Sequence, residues 1–149
     1  MNKINKLTEL DAAYIAGIID GEGCVMLSQN HFGDILRTPS YALRLRVKMT
    51  DELVIRWLHS TIGGRFYTEK KSLKSSKWKD CYEWSCVGKN AVKVLKQVYP
   101  YLRVKKSQAD VAFQFIKTMH RVENRGKPLS NEVIKERAVL RNRIVGLNA

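Results

Sequence analysis

The sequence predicts an α+β fold in one domain, residues 1–149, with the element order α-β-β-α-β-β-α. Two patterns predict it most directly. The run Ala12–Ile19 is apolar throughout, as in a buried helix, and the segment Tyr41–Met49 alternates apolar and other residues, as a strand does. Turn residues such as Gly63-Gly64 separate the predicted elements. At 149 residues the chain is long enough for one domain with a substantial core.

The first predicted helix contains the run Ala12–Ile19, which has no polar face. A helix that is apolar all round is predicted to be buried on every side, and this one is too short to cross a bilayer, which takes about 20 such residues. Thr8 followed by Asp11 is a plausible capping pair at its start. The segment Asp20–Gly23 contains two glycines and is predicted to form a tight turn that carries two carboxylates out of the helix.

Small residues recur along this helix at helical spacing. Ala13, Gly17 and Gly21 fall on one stripe, and Ala16 and Asp20 lie beside it. Such a stripe would let a second backbone approach closely.

The first two strands are predicted over Cys24–Gln29 and Tyr41–Met49, on either side of a loop. In the second strand, one set of alternating positions is apolar and the other carries Arg44, Arg46 and Lys48. One face of the strand is therefore predicted to pack on a core, while the other carries three unbalanced cations. That face is either an ordinary solvated face, which normally mixes charge signs, or, as this excess of cations in so basic a chain favours, a surface that contacts a polyanion such as nucleic acid. The same alternation in the first strand assigns three more residues to the nucleic-acid face: Met26, Ser28 and Asn30.

A helix from Thr50 or Asp51 to about Thr61, ended by Gly63-Gly64, follows the second strand. Two further strands are predicted at Arg65–Lys71 and Cys81–Val87. The tip between them is rich in lysine and is predicted to grip the phosphate backbone. The residues expected to bind DNA in this region are Lys70, Lys74 and Lys77.

The remaining elements are predicted to be helices. A short one spans Asn90–Val98 and ends at Pro100. The next buries a stripe that contains Ala109, Ala112, Phe113, Ile116 and Met119. The last begins at Ser130, and its inward-facing residues are expected to include Val133, Ile134, Ala138 and Val145.

The net charge of +13 and the sequence pI of about 9.9 indicate a polyanionic partner, with nucleic acid as the first candidate. A membrane surface is disfavoured because no basic amphipathic helix with a clean apolar face is present. Cys24, Cys81 and Cys86 are odd in number and lack paired C-x-x-C spacing. The sequence therefore predicts neither a zinc site nor a disulfide framework, which indicates a reducing intracellular compartment. No signal peptide is predicted at the N-terminus.

The ten residues Tyr14–Gly23, Y-I-A-G-I-I-D-G-E-G, resemble the signature motif of the LAGLIDADG homing endonucleases. The resemblance implies that family's fold, with the antiparallel sheet as the DNA-reading surface. The last acid of the family's motif binds the catalytic divalent cation, and this position falls on Glu22. The carbonyl of Gly21 is implied to help hold the metal. The first acid, Asp20, is implied to be mainly structural.

A single copy of the motif resembles the homodimeric branch of the family, since single-chain members carry two. The resemblance implies that two motif helices pack together along the small-residue stripe. The expected dimer-interface residues are Ala13, Ala16, Gly17 and Asp20.

The segment Tyr99–Ala109 resembles a second recognisable stretch of the family, in which a lysine lies beside the active site. Lys105 is the match for that catalytic lysine, with Lys106 the next choice. Met49 is a departure: family members often carry a polar residue, commonly glutamine, near the end of the second strand, where it helps to order water.

Charge and resemblance together predict a site-specific endonuclease of the intron or intein homing type. It would be a homodimer that uses Mg²⁺ to cut double-stranded DNA at a long, pseudo-palindromic site. Two alternatives on the same scaffold stay open: an intron maturase that binds RNA, and a DNA-binding regulator that does not cleave. The expected compartment is an organelle, chloroplast or mitochondrion, or the bacterial or archaeal cytoplasm.

Overall fold

The computed structural model describes residues 3–30, 39–70, 79–120 and 129–149. Five α-helices and four β-strands occupy these ranges. In chain order they are α1 (Glu9–Glu22), β1 (Gly23–Asn30), β2 (Ser40–Met49), α2 (Glu52–Ile62), β3 (Arg65–Glu69), β4 (Cys81–Val87), α3 (Lys89–Val98), α4 (Lys106–His120) and α5 (Asn131–Asn148). The predicted order of helices and strands is confirmed.

The strands form one antiparallel sheet in the order β1-β2-β4-β3. Alternate residues of each strand point to opposite faces of the sheet. One face carries fully buried residues such as Leu45, Val47 and Trp84, and the helices pack against it. The predicted core side of β2 is therefore confirmed, and among the described residues the helices pack on this one face of the sheet.

Helix α1 begins as the sequence predicts but continues further. The side chain of Thr8 caps it by accepting a hydrogen bond from the backbone N–H of Asp11, at 3.2 Å. The helix then runs through Glu22, so the prediction of a tight turn at Asp20–Gly23 is wrong. Gly23 is extended, and a glycine is needed here because an added Cβ would lie 2.6 Å from the Cα of Ile19.

The prediction that α1 is buried on every side is also wrong for a single chain. Ile15, Ala16 and Ile19 are buried against the core, but Leu10 is 84% exposed and Tyr14 54% exposed. The outward face of α1 is therefore apolar and uncovered.

The predicted stop after α2 is confirmed at Gly63 and Gly64, which have φ angles of +92° and +87°. These values fall in the left-handed region that favours glycine. The carbonyl of Gly63 accepts a 2.7 Å hydrogen bond from Nε1 of the buried Trp84. The turn thus satisfies the one polar atom of the largest core side chain.

Several predicted bounds and faces need correction. Strand β3 ends at Glu69 rather than Lys71, and α3 is followed by a 3-10 turn at Tyr99–Tyr101 that contains Pro100. On α4, Ala109, Ala112 and Ile116 are buried as predicted, Phe113 and Met119 are half-buried, and Val111 and Phe115 are also buried.

The inward face of α5 differs from the prediction. Val145 is 50% exposed, whereas Arg137, Leu140 and Ile144 are buried. The buried guanidinium of Arg137 is accommodated because its Nε donates to Thr118 Oγ1 at 3.0 Å and the group lies over the Phe115 ring. Val133, Ile134 and Ala138 are only half-buried. In the part of the chain that the structure describes, no helix is long and apolar enough to span a membrane.

Candidate nucleic-acid interface and metal site

The face of the sheet turned away from the helices, hereafter the outer face, carries the residues that the alternation assigned to DNA. Met26 pairs with Arg44, Ser28 with Ala42, and Asn30 with Ser40. Residues paired across an antiparallel ladder lie on the same face. The outer face comprises Cys24, Met26, Ser28, Asn30, Ser40, Ala42, Arg44, Arg46, Lys48, Arg65, Tyr67, Glu69, Cys81, Glu83, Ser85 and Val87.

The prediction that the three cations of β2 are unbalanced is wrong for two of them. Arg44 Nη2 lies 3.1 Å from Glu83 Oε1, and Lys48 Nζ contacts a carboxylate oxygen of Glu69. The hydrogen bond to Glu69 raises the pKa of Lys48 above its ordinary value. Glu83 belongs to β4 and Glu69 to β3. The sequence-based prediction considered only the cations of β2 and overlooked the acids that these two strands place on the same face.

Arg46 is different from its neighbours on β2. It lies opposite Cys24 on β1 and Ser85 on β4, and no described carboxylate pairs with it. Strand β2 therefore alternates a paired, an unpaired and a paired cation along its length. Arg46 is the one with its charge available to a phosphate or a base edge.

The lysines predicted around the β3–β4 tip are only partly described. Lys70 is exposed immediately after β3. Lys74 and Lys77 lie outside the described residues. The sequence-based prediction did not assign any residue of β3 to the outer face. The alternation of Arg65, Tyr67 and Glu69 could have predicted it, because every second residue of a strand lies on the same face.

Glu22 is the last residue of α1 and is exposed at the end of the β1–β2 ladder, next to Gly23, which pairs with Val47. No basic residue occupies the last turn of the helix. An anion at a helix C-terminus is disfavoured by about 0.3–1 kcal/mol because the backbone carbonyls there carry partial negative charge. Glu22 therefore contributes nothing to the helix, and an exposed acid in such a position fits a functional role.

The donor set at this helix end suits a hard divalent cation. Glu22 offers a carboxylate, and the last carbonyls of the helix, including that of Gly21, have no partner within the helix. Mg²⁺ prefers oxygen ligands, and it commonly takes one or two carboxylates together with phosphate oxygens and water. No cluster of three or more histidine, cysteine or acidic residues occurs among the described residues. One chain thus supplies one exposed carboxylate and the neighbouring helix-end carbonyls, which are a partial set of ligands for such a cation.

Asp20 has the structural role that was predicted for it. Its carboxylate accepts hydrogen bonds from the backbone N–H groups of Arg103, Val104 and Lys105, at 2.9, 3.1 and 2.8 Å. These residues immediately precede α4. Asp20 thereby fixes the half-buried Lys105 at the same end of the molecule as Glu22, which lies two residues further along α1.

Met49 faces the core side of the sheet, where it pairs with Tyr82 and packs against the apolar cluster. It cannot supply a polar group to the outer face. Lys48 and Thr50, its chain neighbours, are the exposed residues at this end of β2.

The predicted dimer face of α1 is partly corrected. Ala13 and Gly17 are exposed, and a Cβ added at Gly17 would meet nothing within 4 Å. Ala16, however, is fully buried in its own chain, and Asp20 is committed to the α4 entrance. These two residues therefore lie on the inward side, and the available stripe is Ala13, Gly17 and Gly21.

The apolar surface beside this stripe continues onto α2. Tyr14 packs edge-to-face on Trp57 with ring centroids 5.2 Å apart, and Leu53 is 79% exposed. Tyr14, Leu53 and Trp57 line one apolar patch, hereafter the α1–α2 patch, and the exposed Leu10 lies one helical turn before Tyr14. Contiguous exposed patches of this kind mark contact surfaces.

No family model matches the sequence, and no characterised protein matches it at the sequence level. Solved structures do share its architecture. The homing endonuclease I-CvuI, in complex with its target, aligns with a TM-score of 0.72 at 22% identity, over 93% of this chain and 82% of that one. The archaeal intron-encoded homing endonuclease I-Vdi141I, complexed with DNA, aligns with a TM-score of 0.71 at 17% identity, over 93% and 84%.

A third similar structure is longer. The LAGLIDADG homing endonuclease I-SmaMI, bound to cleaved DNA, aligns with a TM-score of 0.67 at 15% identity. The alignment covers 94% of this chain but only 45% of I-SmaMI.

Proposed function

We propose that this chain, which has the fold of the LAGLIDADG homing endonucleases, is a site-specific endonuclease that cuts double-stranded DNA with the help of Mg²⁺. The observation that carries the proposal is the position of Glu22. Its exposed carboxylate stands at a helix C-terminus, at the end of a sheet face that carries basic residues, and two residues beyond Asp20, which holds the segment containing Lys105. The fold shared with DNA-bound homing endonucleases supports this use of the site.

The outer face would bind the major groove. β2 has ten residues and therefore spans roughly 30 Å, the rise of about nine base pairs. The major groove is wide enough to admit a two-stranded ribbon such as β1–β2. Met26, Ser28, Asn30, Arg44 and Arg46 would contact base edges or phosphates, and Lys70 would add a backbone contact beyond β3.

A homodimer would complete the enzyme, because one chain offers one carboxylate and a duplex has two strands to cut. The Ala13/Gly17/Gly21 stripe would allow close helix approach, and the α1–α2 patch would become buried. The two Glu22 carboxylates would then lie near a molecular two-fold axis. A two-fold dimer contacts two equivalent half-sites, so the target would be long and roughly palindromic.

In the reaction, Glu22 and the Gly21 carbonyl would hold the Mg²⁺ ion against the scissile phosphate. The metal supplies Lewis acidity toward the phosphate and makes a nucleophilic hydroxide more available. Glu22 itself would bind and orient the Mg²⁺ ion and would not exchange a proton. The Lys105 ammonium would stabilise the negative charge that develops on the phosphate. Asp20 would keep Lys105 in position throughout.

The test is selection of a target followed by cleavage. The purified chain is incubated with a randomised duplex pool in Ca²⁺, bound duplexes are recovered, and the consensus is placed in a plasmid. We expect a consensus with approximate two-fold symmetry and cutting of both strands in Mg²⁺. A chain that selects a duplex but never cuts it would instead be a DNA-binding regulator, and selection of no duplex at all would contradict the proposal.

A further inference from the structure

Two ion pairs on the outer face are unexpected on a surface that is meant to attract DNA. Arg44 Nη2 and Glu83 Oε1 lie 3.1 Å apart, and the Glu83 side chain is only 16% exposed. The second pair, Lys48 with Glu69, is more exposed at both ends. Both acids lie among the residues that would face the phosphates.

The stability of the fold gives little reason for these acids. The Lys48–Glu69 pair is exposed, and exposed ion pairs contribute a median of about 0–1 kcal/mol. The Glu83 carboxylate is more buried, so its pairing with Arg44 has a desolvation cost to offset. For binding to phosphates they are a disadvantage, because each one cancels a cation that would otherwise attract the backbone. Their presence therefore requires a benefit other than affinity.

Holding Arg44 in one orientation before DNA binds is a benefit that Glu83 can provide. A free arginine side chain samples many rotamers and loses that freedom on binding. Glu83 holds the Arg44 guanidinium through Nη2, while Arg44 Nε is buried and donates to no described acceptor. The guanidinium is thus oriented by its hydrogen bond to Glu83, and because Nε is buried, the donors left to meet DNA are those of the two Nη atoms.

The pair also changes which DNA groups Arg44 can bind. The Glu83 carboxylate neutralises the charge of Arg44 and repels phosphates, which weakens sequence-independent attraction. The remaining N–H donors still match a neutral acceptor pair on a base edge, and the bidentate partner of arginine in the major groove is guanine, through O6 and N7.

We propose that Glu83 is a specificity-determining positioning residue: it holds Arg44 for a guanine edge in the major groove and reduces its attraction to phosphates. This inference rests on the proposed DNA-binding function of the outer face. The Lys48–Glu69 pair is a weaker version of the same arrangement, because both of its side chains are more exposed than those of the first pair.

The decisive variant is Glu83→Gln, which keeps the shape and one acceptor but removes the charge. Binding to the selected duplex and to a scrambled duplex is measured over a series of salt concentrations. We expect the variant to bind the scrambled duplex more tightly, with a log–log salt slope steeper by about 0.9, as for one additional phosphate contact. The ratio of specific to scrambled affinity should fall about fivefold or more, as when one good base contact is lost.

Glu132→Gln is the matched control. It makes the same change of charge at an exposed position in the first turn of α5, off the sheet. This control should leave the affinity ratio unchanged. Glu69→Gln should shift the ratio in the same direction as Glu83→Gln, but by less.

Coupling to Arg44 is tested with Arg44→Ala and the double variant. If Glu83 acts through Arg44, Glu83→Gln should change the affinity ratio little once Arg44 is alanine. Circular dichroism melts confirm that each variant is folded, and Arg44→Lys provides a second, conservative test, because it should also lose the guanine preference.

The outcomes separate the two proposals. A wild-type chain without duplex preference contradicts the proposed function. If the wild-type chain prefers its duplex and the Glu83→Gln variant has the same ratio of specific to scrambled affinity and the same salt slope, only the role of Glu83 is overturned.

Discussion

The backbone N–H of Lys105 donates a 2.8 Å hydrogen bond to Oδ1 of Asp20. The two residues are far apart in sequence, and this contact joins the end of the motif helix α1 to the entrance of α4. It explains how the candidate catalytic carboxylate, Glu22, and the candidate catalytic lysine come to share one end of the molecule. The first acid of the motif therefore ties the end of α1 to the entrance of α4, while the second one is exposed at the end of the helix.

Replacement of Asp20 should destabilise the fold. Asp20→Ala removes the acceptor for three backbone N–H groups, and a hydrogen bond to a charged group contributes about 1.5–3 kcal/mol. Because Asp20 is only half-buried, we expect the total loss in the free energy of unfolding to be about 2–3 kcal/mol, measured by urea denaturation. Glu22→Ala, at the same helix end, is the control and should not lower stability. Equal stability of the two variants would refute the structural role of Asp20.

Gly17→Leu should prevent dimer formation. A Cβ added at Gly17 meets nothing within 4 Å among the described residues, but a leucine there would fill the space that a second α1 must enter. Sedimentation velocity at micromolar concentration should show a dimer for the wild type and a monomer for the variant. Gly146→Leu, at another open and exposed helical glycine, should remain dimeric. A monomeric wild type would contradict the proposed assembly.

Arg46→Ala should weaken DNA binding more than the same substitution at Arg44 or Lys48. Arg46 has no described carboxylate partner that offsets its charge. A base-edge role predicts a loss of about 1–3 kcal/mol and relaxed preference at one half-site position. A phosphate role predicts an equal loss on all sequences and a shallower salt dependence. Arg56→Ala, which removes a cation already paired with Glu52 on α2, is the control. Unchanged affinity for Arg46→Ala would contradict a role of Arg46 in binding.

Thiol labelling should separate the three cysteines. Cys86 is buried, and burial raises its pKa to about 12, so the reactive thiolate is almost absent at pH 8. Cys24 and Cys81 are half-buried. Ellman's reagent should titrate two thiols in the folded protein and three in denaturant. Cys86→Ala should leave the native count unchanged, whereas labelling of Cys86 in the folded chain would contradict the packing of β4.

The order of elements was predictable because the local patterns were strong. β2 alternates along its whole length, and Gly63-Gly64 supplies the positive φ values that end α2. The motif also predicted a structural role for Asp20, which its hydrogen bonds agree with, whereas the metal-binding role of Glu22 stays a prediction. These features depend on residues close together in sequence.

The features that sequence reasoning missed depend on pairing between distant segments. The partners of Arg44 and Lys48 come from β4 and β3, and only the sheet order β1-β2-β4-β3 brings them together. The inward turn of Arg137 likewise depends on Thr118 and Phe115 of α4, and an arginine on a helix is normally predicted to face solvent. For α1, apolarity alone could not distinguish burial in one chain from burial between two.

Cleavage by Glu22→Gln tests the central claim most directly. The substitution keeps the size of the side chain but removes the charge that would hold the cation, and Glu22 makes no contact that the helix needs. Folding, dimerisation and affinity for the selected duplex in Ca²⁺ should therefore persist, with Asp20→Asn as the contrasting variant that loses stability. In Mg²⁺, single-turnover cleavage of the plasmid should fall about a thousandfold or more, since the metal contributes several kcal/mol to the reaction. A Glu22→Gln protein that cuts both strands at close to the wild-type rate would contradict the account.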